Sequence, residues 1–216
     1  LAGSNTIIDL TRPLSTITDV SQQRFCLNCN DHAMVLYYQA QTDATEEKVK
    51  MMLLNHLINQ DYFNELRTKQ QLGYLIGAGY APFNTRAGIA FYVQSPKHSA
   101  DEILKRHKQF IENYVTQISQ ISEQQWLDTK AGLVTHIAEK DKNLRLRSQR
   151  LWLAIGNRDS DFNMQQQLLT ALEALSLSDM QQYVSEIFSD ERPRIELLSE
   201  PKTKKTAKTT LYSHSL

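Results

Sequence analysis

The pattern of apolar and polar positions divides the chain into strand-like runs at the front and helical runs behind them. Arg24–Asn28 and Ala33–Ala40 (AMVLYYQA) read as strands joined by the turn-forming Asn28-Cys29-Asn30-Asp31. The second run is nearly continuous in apolar and aromatic residues, as expected of a central strand. Thr45 or Asp43 can cap a helix whose first turn carries Glu46 and Glu47. Its body places Val49, Met52, Leu53, Leu57, Ile58 and Phe63 at three- and four-residue spacing, and it runs to about Lys69–Leu72, stopping before Gly73. Tyr74–Tyr80 and Gly88–Gln94 then read as a hairpin with a medium loop.

Helices fill most of the rest. Ser99 starts one that reaches about Ser119, with Ile103, Leu104, His107, Phe110, Ile111, Tyr114 and Ile118 along one side. Ser122 starts another through about Lys142, and the Ser122–Gln125 spacing is that of a capping box. Leu144–Ile155, Asn163–Leu175 and Ser178–Phe188 follow, the last with Ser178 as its cap, and Arg194–Leu198 is a closing strand. This order predicts an α+β fold, an antiparallel-rich sheet packed on one layer of helices. The divisions expected are a leading connector over 1–23, with a short apolar piece at Thr6–Leu10 and a Pro at 13, a single α+β domain over 24–200, and a Lys/Thr/Ser-rich flexible tail over 201–216.

Composition adds little beyond exclusions. Apolar residues make up 41% and charged residues 22% of the 216, an ordinary globular balance. Lys+Arg and Asp+Glu both number 24, so charge gives no reason to expect nucleic acid or a membrane surface as partner. No apolar run approaches the ~18 residues that a bilayer-spanning helix needs. The chain starts with Leu and its first ten residues lack the pattern of a signal peptide, which reads as a segment of something longer. Cys26 and Cys29 form a lone C-x-x-C. Residues three apart on a strand face opposite ways, so two independent cysteines are expected rather than a metal or redox pair.

The usual hydrolase signatures are missing. A zinc peptidase of the H-E-x-x-H or H-x-x-E-H type needs two His on one helix face and a water-activating Glu. Two stretches come near. His56-Leu57-Ile58-Asn59-Gln60 has only the first His, and His136-Ile137-Ala138-Glu139-Lys140 ends in Lys, a poor ligand because it is normally protonated. No P-loop, G-x-G-x-x-G or G-x-S-x-G is present. Arg145, Arg147 and Arg150 cluster on a predicted helix. Arg147 and Arg150 can share a face and bind an anion, but the balanced overall charge favours a solvated helix face.

One segment carries more. Phe63-Asn64-Glu65-Leu66-Arg67-Thr68-Lys69-Gln70-Gln71-Leu72-Gly73-Tyr74 joins the first long helix to the next strand. Arg67 offers a rigid fork of donors for a peptide carbonyl or carboxylate, and Tyr74 a phenol on an apolar body. They stand two helical turns apart, with Gly73 allowing a sharp turn between them. Spacing alone favours a surface Arg and a strand-packing Tyr.

FNELRTKQQLGY resembles the signature of the last domain of the insulin-degrading enzyme and pitrilysin family. The likeness extends upstream through Val35-Leu36-Tyr37-Tyr38-Gln39 and downstream through Gly88–Ser95. The resemblance implies a peptidase built from four similar α+β domains around a closed chamber. The first of these would carry an H-x-x-E-H zinc site and the last would lack it. Zinc would then be bound by another domain, with no metal ligand and no complete catalytic set in this chain. Arg67 would bind a substrate backbone carbonyl near the scissile bond, and Tyr74 would contact the substrate or help stabilise the tetrahedral intermediate. The implied partners are the N-terminal catalytic domains of the same polypeptide and peptide substrates. A periplasmic location follows from bacterial relatives, with the cytoplasm also open. Two other readings stay in view: a non-catalytic scaffold or processing-complex subunit of the same fold, and an unrelated hydrolase using a Ser or Cys.

Overall fold

The computed structural model describes residues 16–202, apart from Asn84, 157–158 and 160–161. Residues 1–15 and 203–216 lie outside it, and with them most of the expected connector and tail. Among the described residues five strands form one sheet: β1 (Val20–Leu27), β2 (His32–Gln39), β3 (Leu75–Tyr80), β4 (Gly88–Ser95) and β5 (Arg194–Pro201). Their order across the sheet is β1-β5-β2-β4-β3. β1 and β5 pair in parallel, and the other pairs among these strands are antiparallel. β1 thus begins at Val20, inside the segment expected to be a connector.

Among the described residues six helices accompany the sheet: α1 (Thr45–Phe63), α2 (Ala100–Ile118), α3 (Glu123–Ala138), α4 (Leu144–Gly156), α5 (Met164–Ala174) and α6 (Leu177–Ile187). The α+β reading holds, with more depth than a single helical layer. α1 and α2 lie on the sheet, while α3 and α5 pack on the outer side of α1. α1 is therefore buried on two sides through Val49, Met51, Leu53, Leu54, Ile58 and Tyr62. Met52 and Leu57 are only partly covered and Phe63 is exposed, because a helix between two layers has no single apolar face. No helix among the described residues is long and apolar enough to cross a membrane.

The sheet is asymmetric. Strand side chains alternate between its faces. Met34, Leu36, Ile89, Phe91, Val93 and Leu198 point to the helices and are buried, each contributing about 1.5–3 kcal/mol by leaving water. On the opposite face Val35 pairs with Tyr92, which pairs in turn with Gly77, and the first two remain partly exposed.

Caps explain several boundaries. The Ser99 hydroxyl accepts the Glu102 amide at the start of α2, and Ser122 and Gln125 form the expected capping box on α3. α6 is capped by Ser176 with Asp179, not by Ser178, since Asp179 at the third position completes a reciprocal box. α1 has Ala44 at its N-cap and no side-chain cap, so neither Thr45 nor Asp43 serves.

Candidate functional site

The site begins where α1 ends. The helix continues directly into a π-helical turn, Asn64–Lys69, in which the Gln70 amide donates to the Glu65 carbonyl at 3.0 Å. Widened turns of this kind often mark functional positions, because the extra residue per turn reorients side chains. Arg67 sits on this turn, held from behind by the fully buried Leu66 and Leu72. Polar contacts hold its flank. Lys69 pairs with Glu65 at 2.9 Å, Gln70 donates to Glu65 at 3.1 Å, and Arg106 of α2 donates to Gln70 at 3.3 Å. Lys69 and then Gln70 hold the Glu65 carboxyl below its ordinary range.

The chain reverses at Gln71, which takes the left-handed conformation with φ 50°. The sequence places that turn at Gly73. Gly73 instead supplies close approach: a Cβ there would collide with the backbone carbonyl of Gln94. Next to it the Tyr74 amide donates to that same Gln94 carbonyl at 3.1 Å, which seats the segment on β4.

This path brings Arg67 and Tyr74 to one cleft of about 300 Å³, lined also by Gln71, Gly73, Ser95 and Lys97. Arg67 is half-buried, and among the described residues its guanidinium has no hydrogen-bond or ion-pair partner. Tyr74 is 52% exposed, and its hydroxyl donates to Asp31 Oδ2 at 2.5 Å. Gln94 Nε2 donates to the same oxygen at 2.8 Å. The hydrogen bond to Asp31 raises the Tyr74 pKa, while Tyr74 and then Gln94 hold the Asp31 carboxyl below the usual range. Ser95 is buried, and its hydroxyl accepts the Lys97 and His98 amides, fixing the turn that carries Lys97. Asp31, Gln94 and Lys97 do not emerge from the sequence. Strand register is the signal that could have found Gln94, which pairs with Leu75.

A buried support lies beneath. The Tyr62 hydroxyl, just before the π turn, meets Nδ1 of the fully buried His107 at 3.2 Å. Burial, and then the nearby Arg194, pushes the His107 pKa down to about 3, so this imidazole is neutral.

The other sequence candidates stand apart from the cleft. His56 is exposed on α1 beside Gly132 of α3, and His136 is exposed on α3. Glu139 is paired with Lys142 at 2.8 Å. Among the described residues no group of three or more His, Cys, Asp or Glu could hold a metal ion. Cys26 and Cys29 are both exposed and free, and the Cys29 thiol donates to the Asp31 carbonyl at 3.3 Å. Arg150 is held in a bidentate contact with Asp141, at 3.0 and 2.8 Å to Oδ2.

The fold defines the class, an α+β domain of the pitrilysin type. The structure superposes on pitrilysin with a TM-score of 0.75 at 17% identity, covering 92% of this chain and 21% of that one. Residues 53–152 match the family described as PQQ synthase PqqF-like, C-terminal lobe domain 4. The chain is 27% identical over 167 residues to a nardilysin-like protein of Arabidopsis thaliana, covering 76% of this chain and 16% of that protein. It is 26% identical over 167 residues to human insulin-degrading enzyme, with the same coverage of each. The chain is thus similar to members of the insulin-degrading enzyme and pitrilysin family, and its residues 53–152 match a C-terminal lobe domain. It spans only about a sixth of the length of these two curated relatives.

Proposed function

We propose that this chain is the zinc-free, substrate-contacting domain of a larger zinc metalloendopeptidase, and that Arg67 and Tyr74 are its substrate-facing residues. The observation that carries the reading is the unpartnered Arg67 guanidinium, held on a braced π turn and lining one cleft with Tyr74. An arginine fork left without a protein partner is suited to a carbonyl or carboxylate from outside. Arg67 would hold a backbone carbonyl of an extended peptide near the scissile bond, and Tyr74 would contact the same peptide. Donors fixed in advance where negative charge develops lower the barrier without reorganising.

Zinc and its activated water belong, in this reading, to another domain of the same polypeptide, and this chain alone hydrolyses nothing. The neighbouring domains also supply a cover for α4. That helix buries none of its residues, while Leu144, Trp152 and Ile155 are each more than half exposed. Chemistry would then depend on closing the domains around the peptide.

The test is turnover of a peptide by the full polypeptide. Arg67→Ala and Tyr74→Phe should each lower it while bound zinc stays constant. Turnover unchanged in both variants would remove the assignment, and peptide hydrolysis by this chain alone in the presence of a chelator would replace it.

A further inference from the structure

Tyr74 has one phenolic hydrogen, and it is already committed. It points to Asp31 Oδ2 at 2.5 Å, a short charge-assisted bond. Asp31 is fixed in turn by Gln94 Nε2, and Gln94 takes the Tyr74 amide on its backbone carbonyl. The arrangement is a closed loop of three residues from three places in the chain: the β1–β2 turn, the entry to β3, and β4. A carboxylate in this position accepts only. The phenolic oxygen therefore keeps its lone pairs as its remaining hydrogen-bonding capacity, on a ring that is half exposed at the cleft.

We propose that Asp31 sets the polarity of Tyr74, making it an acceptor for a backbone N–H of the bound peptide rather than a donor to the tetrahedral intermediate. Asp31 is a positioning residue in this scheme, acting through Tyr74. Arg67 is a donor without a partner, and Tyr74 is an acceptor a short distance along the same cleft. Together they complement the C=O and N–H groups of an extended peptide main chain. The ligand class is thus a peptide read by its backbone, independent of side-chain identity. The inference rests on the substrate-contacting reading above, and it assigns Tyr74 to ground-state grip and register.

The experiment uses the full polypeptide and a fluorogenic peptide. It is compared with analogues in which one non-scissile amide N–H at a time is replaced by an ester oxygen. At one linkage the wild type should lose about tenfold in kcat/KM, carried mainly by KM. Tyr74→Phe should be nearly insensitive to that same replacement. Asp31→Ala, which returns the phenolic hydrogen to the cleft, should also lose the sensitivity although Tyr74 is intact, and Asp31→Glu should recover part of it. Equal losses in wild type and Tyr74→Phe at every linkage, with Tyr74→Phe still slow on the all-amide peptide, would overturn the acceptor role and leave the substrate contact standing. Full turnover by Tyr74→Phe and Arg67→Ala on the all-amide peptide would overturn both.

Discussion

The segment from Asn64 to Tyr74 and helix α4 both carry arginines that the sequence offers as anion binders, and the fold treats Arg67 and Arg150 in opposite ways. The first is braced on all sides: Leu66 and Leu72 below, Gly73 against β4, and Gln70 tied to Arg106 of α2. Its arginine is left free. α4 buries nothing, yet its Arg150 is clamped by Asp141. A donor held rigidly by its backbone but left without a partner has its desolvation and ordering costs met by the fold, ready for a ligand. A donor already matched by a carboxylate on a peripheral helix contributes to local structure. On the reading proposed above, Arg67 is the arginine assigned to a site.

The bracing is the part most easily broken. Gly73→Val places a side chain against the Gln94 carbonyl, where neither backbone can give way. It should cost on the order of 3 kcal/mol in stability, read as a lower urea midpoint with unchanged m. A loss below about 1 kcal/mol would mean that the seat on β4 does not hold the segment.

His107 tests the deeper support. Its pKa falls from 6.5 to about 3 on folding, so the unfolded chain binds more protons between those values. The contribution to stability is complete above pH 6.5 and declines by about 1.4 kcal/mol per pH unit as pH falls toward 3. Urea unfolding between pH 7 and 4 should show this slope, and His107→Gln should flatten it. An equal slope in the variant would assign the acid sensitivity to other groups.

The smallest effects should come from the arginines themselves. Arg150→Ala breaks an exposed pair and should cost less than about 1 kcal/mol. Arg67→Ala should change stability by no more than about 0.5 kcal/mol, because it removes no contact within the chain. Thermal unfolding of the two variants side by side would show it. A larger loss at Arg67 than at Arg150 would reverse their roles.

Much of this was legible before the structure. β2 and β4 announce themselves as long apolar and aromatic runs, and α2 and α3 by Ser99 and the Ser122–Gln125 box. What escaped depends on contacts between distant parts of the chain. Tyr74 and Asp31 are 43 residues apart, and their bond exists only once β2, β4 and β3 are in register. α1 gives no clean stripe because it is covered on two sides. The sequence points to the glycine for the reversal before Tyr74, as the residue that adopts positive φ most cheaply. The fold uses Gly73 for proximity and forces the positive φ on Gln71. Ser176 and Ser178 are equally good caps on residue type, and only the reciprocal bond with Asp179 separates them.

Peptide turnover by the full polypeptide, with zinc content measured on the same samples, tests the free arginine most directly. Arg67→Ala should lower kcat/KM about 100-fold while zinc content and folding stay at the wild-type level. Turnover within about twofold of wild type, or a fall that tracks lost zinc, would contradict the assignment of Arg67 to the substrate.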